Sequence, residues 1–527
     1  MAGKYSCKIA WHGSASGSPG AVRNFGRFAR ALTGHAGFGF LTSTNPPVHI
    51  KRFFGNISFV VLLNLLVKPG WVMVENLVQD RLGHPIFGLI TAWSSLAMIV
   101  AVVADLGLTH FSVQRLAAEP TFLAEHFPTI LPLRGWLNAV ALALLVVIGA
   151  LLGYRGTELV LLAVIGISLL LTQYAQFLRG TLQASQKFNT DAVLSVLEKA
   201  LLLLLVLAFL PIGLTLNRYL GARLAAAAFT AVLLYALMTR LFGRVRYQYQ
   251  WGQVRNVLRQ SIPFALITVL YGVNERVDMV MLERLASPAE AGYYAGAYRW
   301  VDAVMMYVWT VLPLFFVKFA AMQHNRAEQH KLLWFGQRVV TVPLLFVVAF
   351  GLFRGELLFF QLKHSTAPEI ARMTWCLKIL FVNVLVHAFF ALYASLLNST
   401  GHVRLVSRLV VLSIVLNVGL NLFFLPRYGA VAAAWNTLIC ASIVSIGYIV
   451  LVQRWAKVAV PWGLLTRLGL AFGGVCAVWF GLQTYFHLPW VVESALAGLA
   501  FMGLLPALGV VRLSELGQLR RGSGTGV

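Results

Sequence analysis

Runs of about twenty apolar residues follow one another along nearly the whole chain, with short connections between them. At 1.5 Å per residue, such a run spans the roughly 30 Å hydrocarbon core of a bilayer as one helix. About fourteen spans are expected, over residues 54–78, 86–107, 129–152, 158–179, 190–210, 219–241, 261–283, 292–319, 333–353, 373–397, 404–425, 429–452, 464–485 and 490–511. The fold class is therefore an all-α polytopic membrane protein. Composition excludes the soluble alternative: 59% of residues are hydrophobic and only 11% charged, with mean hydropathy +0.78.

The formal charge of +24 would suggest a nucleic-acid partner in a soluble protein. Here no basic, aromatic-studded domain stands outside the membrane, so the excess reads as topology signal and affinity for anionic membrane lipids. With the N-terminus inside, the inner connections hold clusters such as Arg240, Arg244, Arg246, Arg255 and Arg259. The outer ones hold little beyond Arg81, Arg155, Arg284, Arg354, Lys363 and Arg427. That bias, roughly three to one, places both termini in the cytoplasm. Cys7, Cys376, Cys440 and Cys476 are too far apart to suggest a disulfide framework or a metal site.

Residues 1–52 form a Gly/Ser-rich basic arm expected to be a disordered cytoplasmic extension. An internal repeat divides the chain beyond the arm. Asp80-Arg81-Leu82-Gly83-His84-Pro85 is answered by Glu283-Arg284-Leu285-Ala286-Ser287-Pro288. Leu182-Gln183-Ala184-Ser185 is answered by Leu397-Asn398-Ser399-Thr400, and Leu210-Pro211 by Leu425-Pro426. Each half opens with a span leaving the cytoplasm, so the duplication is parallel, a plan found among secondary transporters. The expected domains are six helices in 53–241, a linker in 242–260, six helices in 261–452, an added pair in 453–511 and a tail in 512–527.

Charges inside the spans single out candidate sites, because a charge at that depth costs several kcal/mol unless it is paired or hydrated. Most lie in the hairpin from Tyr271 to Asp302: Glu275, Arg276 and Asp278 before its turn, Arg299 and Asp302 after it. One reading is a structural clamp, with Asp278 or Glu275 paired to Arg299. The other is a hydrated pathway in which these charges hold a substrate or a coupling ion. Arg276 points away from the face shared by Glu275 and Asp278, with no carboxylate on its own face, so one clamp cannot use all five groups. Lys68 lies within the first span, where Pro69-Gly70 interrupts the helix, and shares a face with Asn64, Trp71 and Glu75. Asn383/His387, Asn417/Asn421, Gln173/Gln176 and Glu198-Lys199 are further intramembrane polar groups, which more commonly join helices than bind ligands. No Walker A or HExxH pattern occurs, so neither ATP hydrolysis, a cofactor nor a metal is called for.

The order of several motifs resembles a known family. They are Asp105-Leu106-Gly107-Leu108 with Gln114-Arg115-Leu116-Ala117, Arg276-Val277-Asp278 followed by SPAEAGYYAGAYR, and the stretch from Asn421 through Pro426-Arg427-Tyr428-Gly429. Over about residues 50–460 the chain resembles bacterial polysaccharide flippases of the multidrug/oligosaccharidyl-lipid/polysaccharide exporter superfamily. The resemblance implies two six-helix bundles in a V around a cationic cavity. It also implies translocation of undecaprenyl-diphosphate-linked sugar units across the inner membrane, with polysaccharide polymerase and chain-length machinery as partners, and no enzymatic step. Lys68, Arg276 and Arg299 are then the candidates for diphosphate contact, and Glu275, Asp278 and Asp302 for ion or proton coupling. A lipid II flippase and a multidrug cation antiporter share the architecture and stay open. A membrane glycosyltransferase or ligase fits less well, because the longest outer connection, about 354–372, is too small for a domain.

Overall fold

The computed structural model describes residues 70–118, 122–184, 188–242, 251–322, 325–486 and 488–511. The basic arm, Lys68 with Pro69, most of the 242–260 linker's first half and the 512–527 tail lie outside them. Among the described residues all regular structure is helical. The helices are α1 (70–82), α2 (His84–Asp105), α3 (Leu108–Ala118), α4 (Phe122–Leu151), α5 (Thr157–Ala184), α6 (Phe188–Phe209) and α7 (Leu216–Phe242). They continue as α8 (Trp251–Leu285), α9 (Pro288–Ala321), α10 (Arg326–Arg354), α11 (Ala367–Ser399), α12 (Val403–Leu451), α13 (Trp462–Gly481) and α14 (Trp490–Ala507).

Ten helical stretches among these are long and apolar enough to cross a membrane. The protein is a multi-pass membrane protein. The 35-residue α8 is not among the ten because of its charges, yet it packs against α2, α3, α4, α9 and α12. The eleventh and twelfth expected spans run together as α12, broken only at Gly429 (φ 57°, ψ −134°). A side chain there would meet the Glu290 carboxylate, whose Oε2 accepts from the Ala430 amide at 2.7 Å. That carboxylate caps the arm that starts after the break.

The short α3 was not expected. Its sequence is less apolar than a span, and it turns off α2 through Leu106 and Gly107, both at positive φ (43° and 73°). Asp105 makes the turn possible by accepting from the Thr109 backbone at 3.3 Å and hydroxyl at 2.5 Å. The same carboxylate pairs with Arg134 of α4, a buried guanidinium that also lies 4.7 Å over the Phe177 ring. A buried ion pair with this many hydrogen bonds fixes one geometry even where its net energy is small.

The repeated motifs fall at matching corners. Asp80–Pro85 turns α1 into α2, and Glu283–Pro288 turns α8 into α9, where Ser287 caps the Glu290 amide at 3.2 Å and Pro288 occupies the first turn. These two corners pack on each other. A Cβ added to Gly88 would lie 1.8 Å from the Pro288 carbonyl oxygen, and one on Gly292 would lie 2.1 Å from that of His84. Thus α2 and α9 touch backbone to backbone, with α2 also packed on α4 and α5, and α9 on α11. The pair α13–α14 packs on α10, fastened by the bidentate Arg354–Glu493 pair (2.8 and 2.9 Å) and by Trp479 stacked on Phe353.

Candidate functional site: a polar cavity beside a sealed corner

Arg299 and Asp278 face different neighbours, so the clamp between them is not formed. Arg299, buried in α9, donates to Asn76 Oδ1 at 2.7 Å and to Gln79 Oε1, both on α1, and lies 4.6 Å over the Phe87 ring of α2. Gln79 in turn donates to the Gly292 carbonyl at 3.0 Å and to His84 Nδ1 at 2.8 Å. With Nδ1 accepting, the His84 proton sits on Nε2, 2.9 Å from Ser365 Oγ. Asp80 binds the amide and ring of His364, each at 2.8 Å. One network therefore joins α1, α2, α9 and the connection before α11, and seals the ends of these helices together. Nearby, Tyr154 donates to Glu283 at 2.7 Å and lies under Arg284. Burial first, and then this hydrogen bond, push the Tyr154 hydroxyl above its ordinary pKa, so it stays a donor.

Below that corner, α8, α9, α11 and α12 enclose a cavity of about 610 Å³. Glu275, Asp278 and Asp302 line it together, with Asn383 and His387 opposite. Glu275 and His387 are exposed although each lies in the middle of a long helix, so the cavity is open enough to hydrate them. Asp278 is buried at one end. Its Oδ1 accepts from Asn421 at 2.8 Å and its Oδ2 from Thr437 at 3.2 Å; Asn421 also donates to Asn417 Oδ1 at 2.8 Å and accepts from Asn436 at 2.9 Å. Each carboxylate oxygen is thus held by one donor from α12, and keeps a further lone pair that can take a proton or a hard cation.

Arg276 has the carboxylate partner that its own helix face lacks, because α9 supplies Asp302 at 3.9 Å. Both side chains are about a quarter exposed (25% and 30%), so the pair is hydrated and easily parted. Of the other polar pairs, Glu198 accepts from Thr172 at 2.7 Å and Lys199 lies 5.9 Å over Trp71. Asn436, Thr437 and the aromatic lining were missed from sequence. The first two sit inside an apolar run and were findable by the rule that drew attention to Asn417 and Asn421.

The family model for polysaccharide biosynthesis proteins matches residues 55–316. Over that stretch the chain is similar to the polysaccharide biosynthesis protein family. An uncharacterized membrane protein of Methanocaldococcus jannaschii is 22% identical over 394 residues, 72% of this chain and 93% of that protein. Among solved structures, the lipid II flippase MurJ in an inward closed conformation aligns at TM-score 0.68 and 12% identity, over 86% of this chain and 98% of its own. An inward-facing multidrug resistance MATE family transporter of the MOP superfamily aligns at 0.62 and 13%, over 77% and 99%. At these identities the likeness is one of fold. The chain shares its fold with both of these solved structures.

Proposed function

We propose that the protein moves an undecaprenyl-diphosphate-linked oligosaccharide across the bacterial inner membrane, with both termini cytoplasmic, for surface polysaccharide synthesis. The observation that carries this reading is Arg276: a cation in mid-helix, loosely paired, beside a hydrated cavity. A lipid diphosphate must bring negative charge and a bulky polar glycan past hydrocarbon, and a guanidinium offers it two parallel hydrogen bonds. Lys68, just before α1 in sequence and outside the described residues, joins Arg276 in holding the diphosphate. Arg299 is engaged by α1 in this conformation and turns to the substrate when α1 moves off. Asp278 takes the coupling proton or cation, and Glu275 and Asp302 relay to it across the cavity. Anionic lipids bind the basic inner connections, and polymerase and chain-length machinery receive the product.

The test is uptake of a fluorescent polyprenyl-diphosphate disaccharide into proteoliposomes. Arg276→Ala removes one charge-assisted contact worth roughly 1.5–3 kcal/mol, so transport falls by about ten- to a hundredfold while the melting midpoint holds. Arg276→Lys recovers part, lacking the planar fork. Wild-type transport by Arg276→Ala would overturn this assignment. The three carboxylates facing one cavity favour a second reading, an organic-cation antiporter; uptake of ethidium without any of the lipid glycan would select it.

A further inference from the structure

The cavity between α8, α9, α11 and α12 has a lining that coupling does not use. At about 610 Å³ it lies within the range of ligand pockets, roughly 300–1,000 Å³. Trp309 and Tyr271 are exposed into it (44% and 37%) from the middle of their helices, and Tyr298 and Tyr448 complete an aromatic wall. Between the rings stand amides: Asn274, Asn383, Asn398 and Asn417. Asn383 is more than nine-tenths buried, and its Oδ1 has no hydrogen-bond partner. A buried amide oxygen left in this way signals a missing donor.

Rings alternating with amides and carboxylates match one ligand chemistry. A pyranose has an apolar C–H face that lies flat on an aromatic ring, and a rim of hydroxyls that donate to carboxylate and amide oxygens. Glu275, Asp278 and Asp302 all face the space, while no lysine or arginine is among its described lining residues. Arg276, the nearby cation, is held against Asp302. An acidic sugar brought here meets like charge in a confined, poorly screened volume, whereas a neutral or amine-bearing sugar does not. An alkyl or aryl cation would satisfy the carboxylates but leave the buried Asn383 oxygen without a donor, which favours the glycan.

We propose that this cavity is the glycan subsite of the transporter, seating the sugars next to the diphosphate and rejecting uronic acids. This rests on the lipid-linked-glycan reading, and the diphosphate bound at Arg276 sets the sugars beside Asp302. The experiment measures binding of three probes to the detergent-purified full chain: undecaprenyl diphosphate alone, and the same lipid bearing N-acetylglucosamine or glucuronic acid. The N-acetylglucosamine lipid should bind about tenfold more tightly than the glucuronic acid lipid, a difference of about 1.4 kcal/mol. Trp309→Ala should weaken the N-acetylglucosamine lipid about tenfold and leave undecaprenyl diphosphate unchanged. Glu275→Gln should bring the two sugar lipids to within about twofold by improving the acidic one. Equal affinity for all three probes, unchanged by Trp309→Ala, would overturn the glycan subsite while leaving the diphosphate reading standing. Failure of undecaprenyl diphosphate itself to bind would overturn the diphosphate reading. Tetraphenylphosphonium bound tightly and lost in Glu275→Gln, without any sugar dependence, would reassign the cavity to organic cations.

Discussion

Gly292→Ala should open the sealed corner. Its Cβ would lie 2.1 Å from the His84 carbonyl oxygen and 2.8 Å from the carbonyl carbon, both backbone atoms that cannot rotate aside. Restoring even a tight contact moves α9 off α2 by nearly an ångström. The Gly292 carbonyl is also the acceptor for Gln79, the residue that holds Arg299 and His84, so the displacement loosens the whole network. Overpacking of this kind costs roughly 1–3 kcal/mol, and it falls only on the conformation in which the corners touch. The open population should therefore rise by about 5–150-fold. Ser365→Cys reports this: Ser365 Oγ is tied to His84 at 2.9 Å, and of the native cysteines Cys376 and Cys440 are buried. With Cys7 and Cys476 changed to serine, the rate of labelling by a membrane-impermeant maleimide follows the open fraction. Gly503→Ala, where the added Cβ meets nothing within 4 Å, is the control and should label as the parent does. A Gly292→Ala protein with normal melting and parental labelling would refute the claim that the corner is what closes this end.

Arg299→Ala leaves Asn76 Oδ1 and Gln79 Oε1 without their donor in a buried site, at about 1–3 kcal/mol each. The melting midpoint in detergent should fall, with Arg299→Lys recovering only part; an unchanged midpoint would mean the network does not hold the helices. Reporter fusions at residue 527 and within 355–366 should report opposite faces of the membrane, as the Lys/Arg bias requires. Signals from the same side would reverse the topology.

The spans were legible because length and apolarity are properties of one helix at a time, and the thirteen later expected runs each have a helix or half-helix. The same one-helix logic found Asn417 and Asn421, which are four residues apart and do bond to each other. It failed for Arg299, whose partners lie 223 and 220 positions away, and for Arg276, whose carboxylate arrives from the next helix. Face rules state which side chains share a helix surface, not which neighbour that surface meets. Helix α3 escaped for another reason: its register depends on two left-handed residues and on the Asp105 cap, none of which leaves an apolar signature.

The break at Gly429 gives Asp278 a role beyond holding charge. Asn421 stands on the arm of α12 before the break and Thr437 on the arm after it, and each binds a different oxygen of the one carboxylate. The carboxylate is thus a tie-rod across an elbow, setting the angle at which the two arms meet. Whatever occupies or protonates it changes the length of that tie, and an elbow turns a change of tenths of an ångström near its vertex into a larger swing at the far ends of both arms.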